Sequence, residues 1–338
     1  MIPIKNIYYM LSYAFNELHK KGYEQLAHEE FRNIYELYAE ILVQGINKQI
    51  KRGIEQIYHD HTEQISTIRG KLNITDSILP LVKQKQVICQ YDEYTTNSYK
   101  NKIIKTTIHE LLKTDINTKR RKKLKKLLVY FTEVDLLDKH NINWQHNYNK
   151  NNKTYQMLIN ICYLVITGLL QRQTRGTNKL ITLDEDNMSR LYEKFILEYY
   201  KKEHPELRPR ASHIPWQTDN NNMLPRMKSD TTLTKEENTL IIDAKYYKKT
   251  LQEHYQKKTI HSQNLYQIFT YVKNKKAQPG QENRNISGMI LYAKTDEDEY
   301  PDNTYNLSGN TITVKTLDLN QDFMGIKKQL EQIIMEFL

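Results

Sequence analysis

Two carboxylates on neighbouring predicted strands restrict the possible folds of this chain more than any other feature. Asp230 and Asp243 lie thirteen positions apart, separated by a turn-rich segment at residues 234–238 and an apolar run at residues 240–242. This order predicts a strand, a hairpin turn and a second strand. Because the two strands would pair, we expect Asp230 and Asp243 to face each other across the hairpin.

The second of these strands carries an alternating Asp243-Ala244-Lys245 sequence. Successive side chains of a strand point to opposite faces, so Asp243 and Lys245 share one face while Ala244 points into the sheet. Carboxylates bind Mg²⁺, which stabilises charge on a scissile phosphate, and a nearby lysine can orient or help deprotonate water. A lone D-x-K sequence is more often a solvated ion pair at a strand end, so the motif needs support from the rest of the chain.

Length and charge allow a nucleic-acid enzyme without requiring one. The chain has 338 residues with 38% apolar content, enough for about two domains with hydrophobic cores. Its formal net charge is +10, from 50 Lys and Arg against 40 Asp and Glu, which favours a polyanionic partner. A general lysine-rich composition would produce the same excess, so the charge is supporting evidence only.

The cysteines and the apolar segments indicate a cytoplasmic protein. Cys89 and Cys162 are too few for a disulfide framework or a thiolate zinc site. The first residues lack the charged and apolar regions of a secretory signal. The most apolar stretch, residues 157–170, is shorter than the roughly 20 residues that span a bilayer. We interpret it as a buried helix, with no membrane partner.

The first half of the chain mixes helical and strand-like patterns. Apolar residues recur at helical spacing over residues 7–15, 31–42 and 103–112. Between them, residues 54–90 have a short, strand-like pattern around a turn at Arg69-Gly70. This half therefore predicts an α+β domain.

A dense basic run occupies residues 119–126. It could contact the phosphate backbone of a nucleic acid. The alternative, which we favour, is the solvated face of an amphipathic helix whose inward side is Leu124, Leu127 and Leu128.

The polar segment at residues 141–154 is the best candidate for a domain linker, dividing the chain into domains at 1–150 and 151–338. The second domain is expected to be a mixed α/β fold with a central mixed sheet flanked by helices. Besides the carboxylate hairpin, its predicted elements are helices at residues 155–172, 188–203, 263–273 and 324–337 and strands at 286–292 and 311–316.

Three further residues fit a nuclease site by position. Glu193 lies in the helix before the hairpin, where it could supply a third metal-site oxygen or be an ordinary exposed glutamate. Gln267 and Tyr271 lie four apart and stack on one helix face, where they could hold DNA or the lysine, or simply form an edge of the core.

The order Glu193, Asp230, Asp243-x-Lys245 and Gln267-x-x-x-Tyr271 resembles the PD-(D/E)xK nuclease superfamily, in particular its RecB-like branch. The proline of the name-giving motif is not adjacent to the first aspartate, since Ser229 precedes it.

Sequence blocks along most of the chain resemble a narrower family. Residues 2–14 look like the opening of McrC, the nuclease subunit of the McrBC modification-dependent restriction systems. Further similar blocks follow in order at residues 68–72, 101–105, 224–227, 242–247 and 261–267.

This resemblance implies a C-terminal endonuclease domain that cleaves DNA with Mg²⁺ or Mn²⁺. It also implies an N-terminal domain that docks on a hexameric AAA+ GTPase, McrB, and stimulates it. McrB would bind the GTP and recognise the modified cytosine in double-stranded DNA. In agreement, the first half has no G-x-x-x-x-G-K-[ST] phosphate loop of its own.

By the same resemblance, Asp230 and Asp243 would be metal ligands, with Glu193 and the carbonyl of Ala244 as further ligands and Lys245 as the catalytic lysine. The resemblance also suggests contacts with the partners: Arg69 for the GTPase, or else simply a surface loop arginine, and Arg226, Tyr246, His261 and Asn264 for the DNA groove. A non-enzymatic adaptor with a nuclease-like fold and a stand-alone RecB-like exonuclease remain alternatives.

Overall fold

The structure is a computed structural model that describes residues 2–19, 23–149, 152–175, 185–247, 250–254, 257–281, 284–294, 297 and 299–338. Its helices are α1 (Ile4–Ala14), α2 (Ile34–Arg52), α3 (Ile74–Gln84), α4 (Tyr99–Leu112), α5 (Thr118–Leu128), α6 (Lys153–Arg175), α7 (Glu185–Glu203), α8 (Ser262–Lys276) and α9 (Phe323–Phe337). Its strands are β1 (Ile57–Ile65), β2 (Lys71–Asn73), β3 (Val87–Thr95), β4 (His213–Ile214), β5 (Met227–Lys228), β6 (Thr231–Lys235), β7 (Asn238–Lys245), β8 (Leu251–His254), β9 (Lys257–Ile260), β10 (Asn285–Ala293), β11 (Asn303–Leu307) and β12 (Asn310–Leu317).

The chain forms two compact units whose boundaries differ from the predicted division at residue 150. The middle unit is Tyr35–Thr174, and the terminal unit combines Met1–Ile34 with Arg175–Leu338. The N-terminal helix therefore belongs with the C-terminal half, and α6 belongs with the elements that precede it. The prediction of domains at 1–150 and 151–338 is therefore wrong in two respects. Residues 1–34 belong to the terminal unit, and the later boundary lies after residue 174 rather than 150.

Long-range contacts of α1 explain why the N-terminus joins the terminal unit. The ring of Tyr13 lies 5.7 Å from that of Phe195 and 5.4 Å from that of Tyr199, both on α7. The side-chain amide of Asn6 donates to the carbonyls of Leu319 and Gln321, each at 2.7 Å. These contacts join residues more than 180 positions apart, which no local pattern in the sequence reveals.

The segment expected to be a linker packs inside the middle unit instead. The ring of Trp144 meets that of Tyr163 on α6 edge to face, with centroids 5.2 Å apart. Ile142 is buried, and the backbone N–H of Asn143 donates to the Tyr99 hydroxyl at 2.9 Å. A polar sequence with two isolated apolar anchors is therefore a packed connection here rather than a domain boundary.

Helix α6 is the apolar helix that the sequence predicts to be buried. Over Lys153–Gln171 it is long and apolar enough to cross a membrane by length and composition, yet 56% of this window is buried within the structure. Leu158, Ile161 and Val165 are completely buried, and the Tyr155 hydroxyl donates to the Asn101 side chain at 3.0 Å. The packing identifies α6 as a core helix of the middle unit.

The middle unit contains a three-stranded antiparallel sheet in the order β1-β3-β2. The turn before β2 requires glycine, because Gly70 has φ +70° and a Cβ atom there would lie 2.5 Å from the Gln90 carbonyl. Between β2 and β3, residues predicted to be strand-like form α3 instead. The Asn73 side chain caps this helix by accepting from the Asp76 N–H, and Ser77 is bonded to the Ile88 N–H of β3.

Part of the basic run on α5 is buried in ion pairs. Leu124 and Leu127 point inward as expected, but Arg120 is also buried, at 6% exposure. Its guanidinium lies 3.0 Å from the Glu36 carboxylate and 3.5 Å from that of Glu40, which also meets the Lys123 ammonium at 2.7 Å. These two basic side chains therefore stabilise the packing of α5 on α2, and the more exposed lysines form the solvated face.

The terminal unit is organised around a mixed five-stranded sheet in the order β11-β12-β10-β7-β6. Strand β10 is parallel to both β7 and β12, while β6 and β11 form antiparallel edges. Helix α8 connects β7 to β10 and packs closely on β10, since a Cβ atom at Gly288 would lie 2.7 Å from Ile268. This mixed sheet with flanking helices confirms the predicted fold class of the second half.

Candidate functional site

The β6–β7 hairpin brings Asp230 and Asp243 to the same end of the sheet. Thr231 pairs with Ile242 in the antiparallel register, so Asp230 takes the next position, opposite Asp243. The Ala244 N–H donates to the Asp230 Oδ2 atom at 2.9 Å, which fixes the first carboxylate against the second strand. The predicted facing of the two aspartates is confirmed.

Asp243 and Lys245 share one face of β7, as strand alternation predicts. The Lys245 Nζ atom lies 2.8 Å from Asp243 Oδ2, while Ala244 between them is completely buried. The Asp243 side chain is 1% exposed and the Lys245 side chain 14%. This close approach is an ion pair rather than a hydrogen bond of good angular geometry.

The second carboxylate oxygen of Asp243 is buried and accepts no hydrogen bond from a described residue. Its Oδ1 atom has no hydrogen-bond partner among the described residues, although it is shielded from solvent. A buried carboxylate oxygen without a donor costs folding free energy, and a ligand that binds it would recover that cost. A hard cation that prefers oxygen ligands suits this position.

Electrostatics within the site are unfavourable to the ionised carboxylates. Burial, then the charges of Asp243 and Glu193, raise the pKa of Asp230 to about 7. Burial also raises the pKa of Asp243, although Lys245 opposes the change. Burial alone would lower the pKa of Lys245, but Asp243 and Asp230 outweigh it and hold that pKa above its ordinary value. Lys245 is therefore protonated, and it lies beside two carboxyl groups, Asp230 and Asp243, whose ionisation is disfavoured.

Replacing Asp230 with asparagine should stabilise the metal-free protein at high pH. The pKa rises from 3.8 unfolded to about 7 folded, so the folded state keeps a proton that the unfolded chain loses. Stability therefore falls as the pH rises from about 4 to 7, and the full penalty persists above pH 7. We expect Asp230→Asn to gain about 1 kcal/mol or more at pH 8, or roughly 2–4 °C in Tm, and nothing below pH 4.

Thermal unfolding in EDTA at pH 8 and at pH 4 measures this difference. Asp302→Asn is the matched control, because Asp302 is exposed in the same unit. Equal melting temperatures for Asp230→Asn and wild type at pH 8 would contradict the raised pKa of Asp230 in the folded protein.

Glu193 lies on α7 and contributes to this electrostatic environment. Burial raises its pKa, and Asp243 adds to the effect, while the Ser189 hydroxyl donates to its Oε1 atom at 3.1 Å. Within the described ranges no group of three or more His, Cys, Asp or Glu side chains is gathered closely enough to hold a metal. Glu193 as a third ligand therefore stays a prediction.

Gln267 and Tyr271 stack one turn apart on α8 as the spacing predicts. The Gln267 side-chain amide donates to the Tyr271 hydroxyl at 2.8 Å. Tyr271 is largely buried and packs in the core beside Ile241 and Ile268. The structure thus gives Tyr271 a packing role and leaves the amide of Gln267 partly exposed.

Asn264 is buried rather than exposed in a groove, which corrects its interpretation as a DNA contact. Its amide donates to the Tyr292 hydroxyl at 2.9 Å, and the Tyr247 hydroxyl donates to its carbonyl oxygen at 3.2 Å. Tyr292 lies on β10 directly opposite Lys245. Asn264 therefore links α8 to β10 and to the segment that follows β7.

Sequence reasoning missed Tyr292 and Tyr247 as members of this network. Tyr247 follows Lys245 by two positions, so its closeness was available in the sequence, whereas Tyr292 reaches the site only through the β7–β10 pairing. Burial raises the pKa of Tyr292 to about 12, so its hydroxyl stays protonated.

The remaining predicted residues are distributed around the site or lie outside it. The His261 ring is 4.9 Å from that of Tyr247 at the start of α8, and Tyr246 follows β7 with partial exposure. Arg226 is exposed just before β5. Arg69 belongs to the middle unit, where its guanidinium covers the Tyr91 ring at 4.1 Å and lies 3.5 Å from Glu93.

Comparisons with known proteins show the family to which the chain is similar. Residues 4–293 match the family model described as McrBC 5-methylcytosine restriction system component. The chain is 28% identical over 351 residues to the type IV methyl-directed restriction enzyme EcoKMcrBC of Escherichia coli (strain K12), covering 100% of this chain and 99% of the relative.

A solved structure has the same fold over nearly the whole chain. It is a refined half-complex from a tetradecameric assembly of Thermococcus gammatolerans McrB AAA+ hexamers with bound McrC. The TM-score is 0.56 at 17% identity, and the match covers 99% of this chain and 76% of the other.

Proposed function

The chain belongs to the family of McrBC 5-methylcytosine restriction system components, and we propose that within such a system it is the DNA-cleaving subunit. In this proposal it hydrolyses DNA phosphodiesters with Mg²⁺ or Mn²⁺ and stimulates GTP hydrolysis by a separate AAA+ partner. The observation that carries the proposal is the buried Asp243 carboxylate, with one oxygen lacking a donor and the other 2.8 Å from the Lys245 ammonium.

The donor set at this end of the sheet suits a hard divalent cation. Asp230 and Asp243 would supply carboxylate oxygens, and the carbonyl of Ala244 is a further candidate ligand, with Glu193 as a fourth. When bound, Mg²⁺ would stabilise the negative charge that develops on the scissile phosphate.

Lys245 would act as a fixed cation in this reaction. Its pKa is raised above the ordinary value, so it stays protonated at neutral pH. A protonated lysine cannot accept a proton from water. It would instead orient the attacking water and donate to a phosphate oxygen, an arrangement that favours the transition state because the charge is already in place.

The partner and substrate follow from the relatives. The McrC of Thermococcus gammatolerans is bound to McrB AAA+ hexamers, and the Escherichia coli relative is methyl-directed. By this likeness, a hexameric McrB-like GTPase binds the GTP and selects double-stranded DNA with modified cytosine. The chain described here then needs no nucleotide site of its own, and it would act in the cytoplasm.

Replacing Lys245 with methionine tests this assignment. The exchange keeps an unbranched side chain, one atom shorter, and removes its charge, so we expect cleavage by the complex with the GTPase to fall by about 10²–10³-fold. Stimulation of GTP hydrolysis should stay within twofold. Lys235→Met is the matched control, since Lys235 is exposed at the opposite end of the same hairpin.

The outcomes separate the alternatives. Cleavage by Lys245→Met at the control rate would overturn the catalytic assignment. Degradation of free DNA ends without the GTPase would instead indicate a stand-alone exonuclease. A wild-type complex that neither cleaves nor binds Mn²⁺ would indicate a non-enzymatic adaptor.

A further inference from the structure

A short row of two exposed cations, Arg226 and Lys228, lies just before the first carboxylate of the site in the chain. Residues 226–230 alternate in burial: Met227 and Ser229 are buried, whereas Arg226 and Lys228 are exposed. Because side chains of a strand alternate between faces, Arg226 and Lys228 lie on the same face. With a rise of about 3.3 Å per residue, the two positions are roughly 6.6 Å apart. Asp230 follows Lys228 by two positions, beyond the end of β5 and at a bend in the chain.

The two cations of this row are not engaged by any described residue. In the part of the chain that the structure describes, neither Arg226 nor Lys228 forms an ion pair or a side-chain hydrogen bond. His213 lies opposite Lys228 in the β4–β5 register and is also exposed, so a third group that can carry positive charge borders the same face. Elsewhere in the described segments many lysines are engaged, such as Lys294 with Asp318 and Lys315 with Glu336. The cations of the row are therefore available for a ligand close to the site.

The strands that carry the row are held in place by contacts with the rest of the unit. The Trp216 indole N–H donates to the Pro225 carbonyl at 2.7 Å, which fixes the chain just before Arg226. The Gln217 N–H donates to the Asn274 side chain on α8 at 2.8 Å, and the Ser229 N–H donates to the Ser212 carbonyl at 3.0 Å. Arg226 and Lys228 therefore project from a fixed support rather than from a free loop.

A groove beside the ribbon provides room for a nucleic-acid strand. It has a volume of about 560 Å³, and His213, Trp216 and Arg226 are among its lining residues. The groove combines an aromatic ring, an imidazole and a guanidinium, and these groups contact sugars, bases and phosphates in protein–DNA complexes.

We propose that the β4–β5 ribbon, residues 213–228, binds the DNA backbone next to the cut and sets which phosphate reaches Asp230. Arg226 and Lys228 bind two neighbouring phosphates of the strand to be cleaved. Their spacing is close to that of successive phosphates along one strand, and Lys228 lies two positions before Asp230. This inference rests on the proposed nuclease function, and it adds positioning residues to that site. Arg226 forms the paired hydrogen bonds that a guanidinium makes with a phosphate, and Lys228 acts as a point charge.

Salt dependence of DNA binding tests the inference on the full chain. Removing one cation that binds a phosphate reduces the slope of log affinity against log salt by about 0.9. We therefore expect the slope of the double variant Arg226→Ala/Lys228→Ala to fall by about 2 units and its affinity at 0.15 M salt to fall on the order of tenfold or more. The probe is a fluorescent 30-base-pair duplex, measured by anisotropy in Ca²⁺ to prevent cleavage.

The matched control is Lys235→Ala/Lys328→Ala, which removes the same charge from exposed positions elsewhere in the terminal unit. It should keep the slope of wild type. The charge-preserving pair Arg226→Lys/Lys228→Arg should retain most of the slope, and circular dichroism shows that each variant is folded. Equal slopes for the alanine pair and the control would overturn the inference.

Cleavage by the complex with the GTPase provides a second readout. The alanine pair should raise the KM for DNA and broaden the distribution of cut positions on sequencing gels, because the strand is no longer fixed relative to Asp230. If the wild-type complex cleaves and the alanine pair gives the same cut positions and KM as the control, the inference fails while the proposed function stands. If the wild-type complex does not cleave, the proposed function itself fails.

Discussion

Asp243→Asn is expected to abolish DNA cleavage by the complex with the GTPase, lowering the rate by about 10³-fold or more. The amide has the shape of the carboxylate but lacks its charge, so the site loses a metal ligand and the partner of Lys245. Several kcal/mol of transition-state stabilisation correspond to that factor. Two observations support this expectation. The Asp243 side chain is 1% exposed, and its Oδ1 atom lacks a hydrogen-bond donor among the described residues.

The rate of cleavage is measured on supercoiled plasmid that carries modified cytosine. The plasmid is incubated with the chain, the GTPase, GTP and Mg²⁺. Hydrolysis of GTP in the same reactions should be unchanged, because Asp243 is a residue of the cleavage site alone in this account. Asp302→Asn serves as control, with the same chemical change at an exposed position. Plasmid cutting by Asp243→Asn at the rate of this control would rule out the assigned site.

Arg120→Ala is expected to lower the free energy of unfolding by about 3–5 kcal/mol. It leaves the buried Glu36 and Glu40 carboxylates without their guanidinium partner, at 3.0 Å and 3.5 Å in the intact protein. Uncompensated buried charge is costly, whereas loss of an exposed lysine from the same helix should change stability by no more than about 0.5 kcal/mol.

Urea denaturation followed by circular dichroism compares Arg120→Ala with Lys122→Ala, an exposed position two residues away on α5. If the free energies of unfolding of the two variants differed by less than about 1 kcal/mol, the buried ion pairs would contribute little to stability. The comparison also distinguishes the structural residues of the basic run from its solvated ones.

Local sequence patterns were sufficient where the structure depends on local rules. The turn at residues 236–237 sets the hairpin register, and strand alternation then determines that Asp243 and Lys245 share a face. Helical periodicity likewise predicted α6, α8 and α9 to within a few residues. The family resemblance came from ordered sequence blocks, and the family match over residues 4–293 confirms it.

Contacts between distant residues account for what the sequence did not reveal. The domain boundary failed because α1 packs on α7 across more than 180 positions, through the rings of Tyr13 and Tyr199. Asn264 looked like a surface residue on a helix, but its amide is satisfied by Tyr292, 28 positions away. The short strand β11 was not predicted, and α3 was predicted to be strand-like although Asn73 caps it, because Pro80 inside it weakens the helical pattern.

The site also has a physical consequence for the protein without metal. The site contains two buried carboxylates and a third nearby at Glu193, but only one lysine. When the carboxylates are ionised, the site carries net negative charge in a region shielded from water. Binding a cation would relieve this repulsion, so metal affinity should decrease as the pH falls through the raised pKa of Asp230. The features that destabilise the metal-free site are thus those that would give it affinity for a divalent cation.

Binding of Mn²⁺ to the full chain tests the central claim most directly, because it needs neither DNA nor the GTPase. Electron paramagnetic resonance of free Mn²⁺ at pH 8 should show one bound ion per chain for wild type and for Asp302→Asn. Asp230→Asn/Asp243→Asn should bind none in the same concentration range while remaining folded. Mn²⁺ binding by this double variant with the wild-type affinity and stoichiometry would contradict the assignment of Asp230 and Asp243 as the metal site.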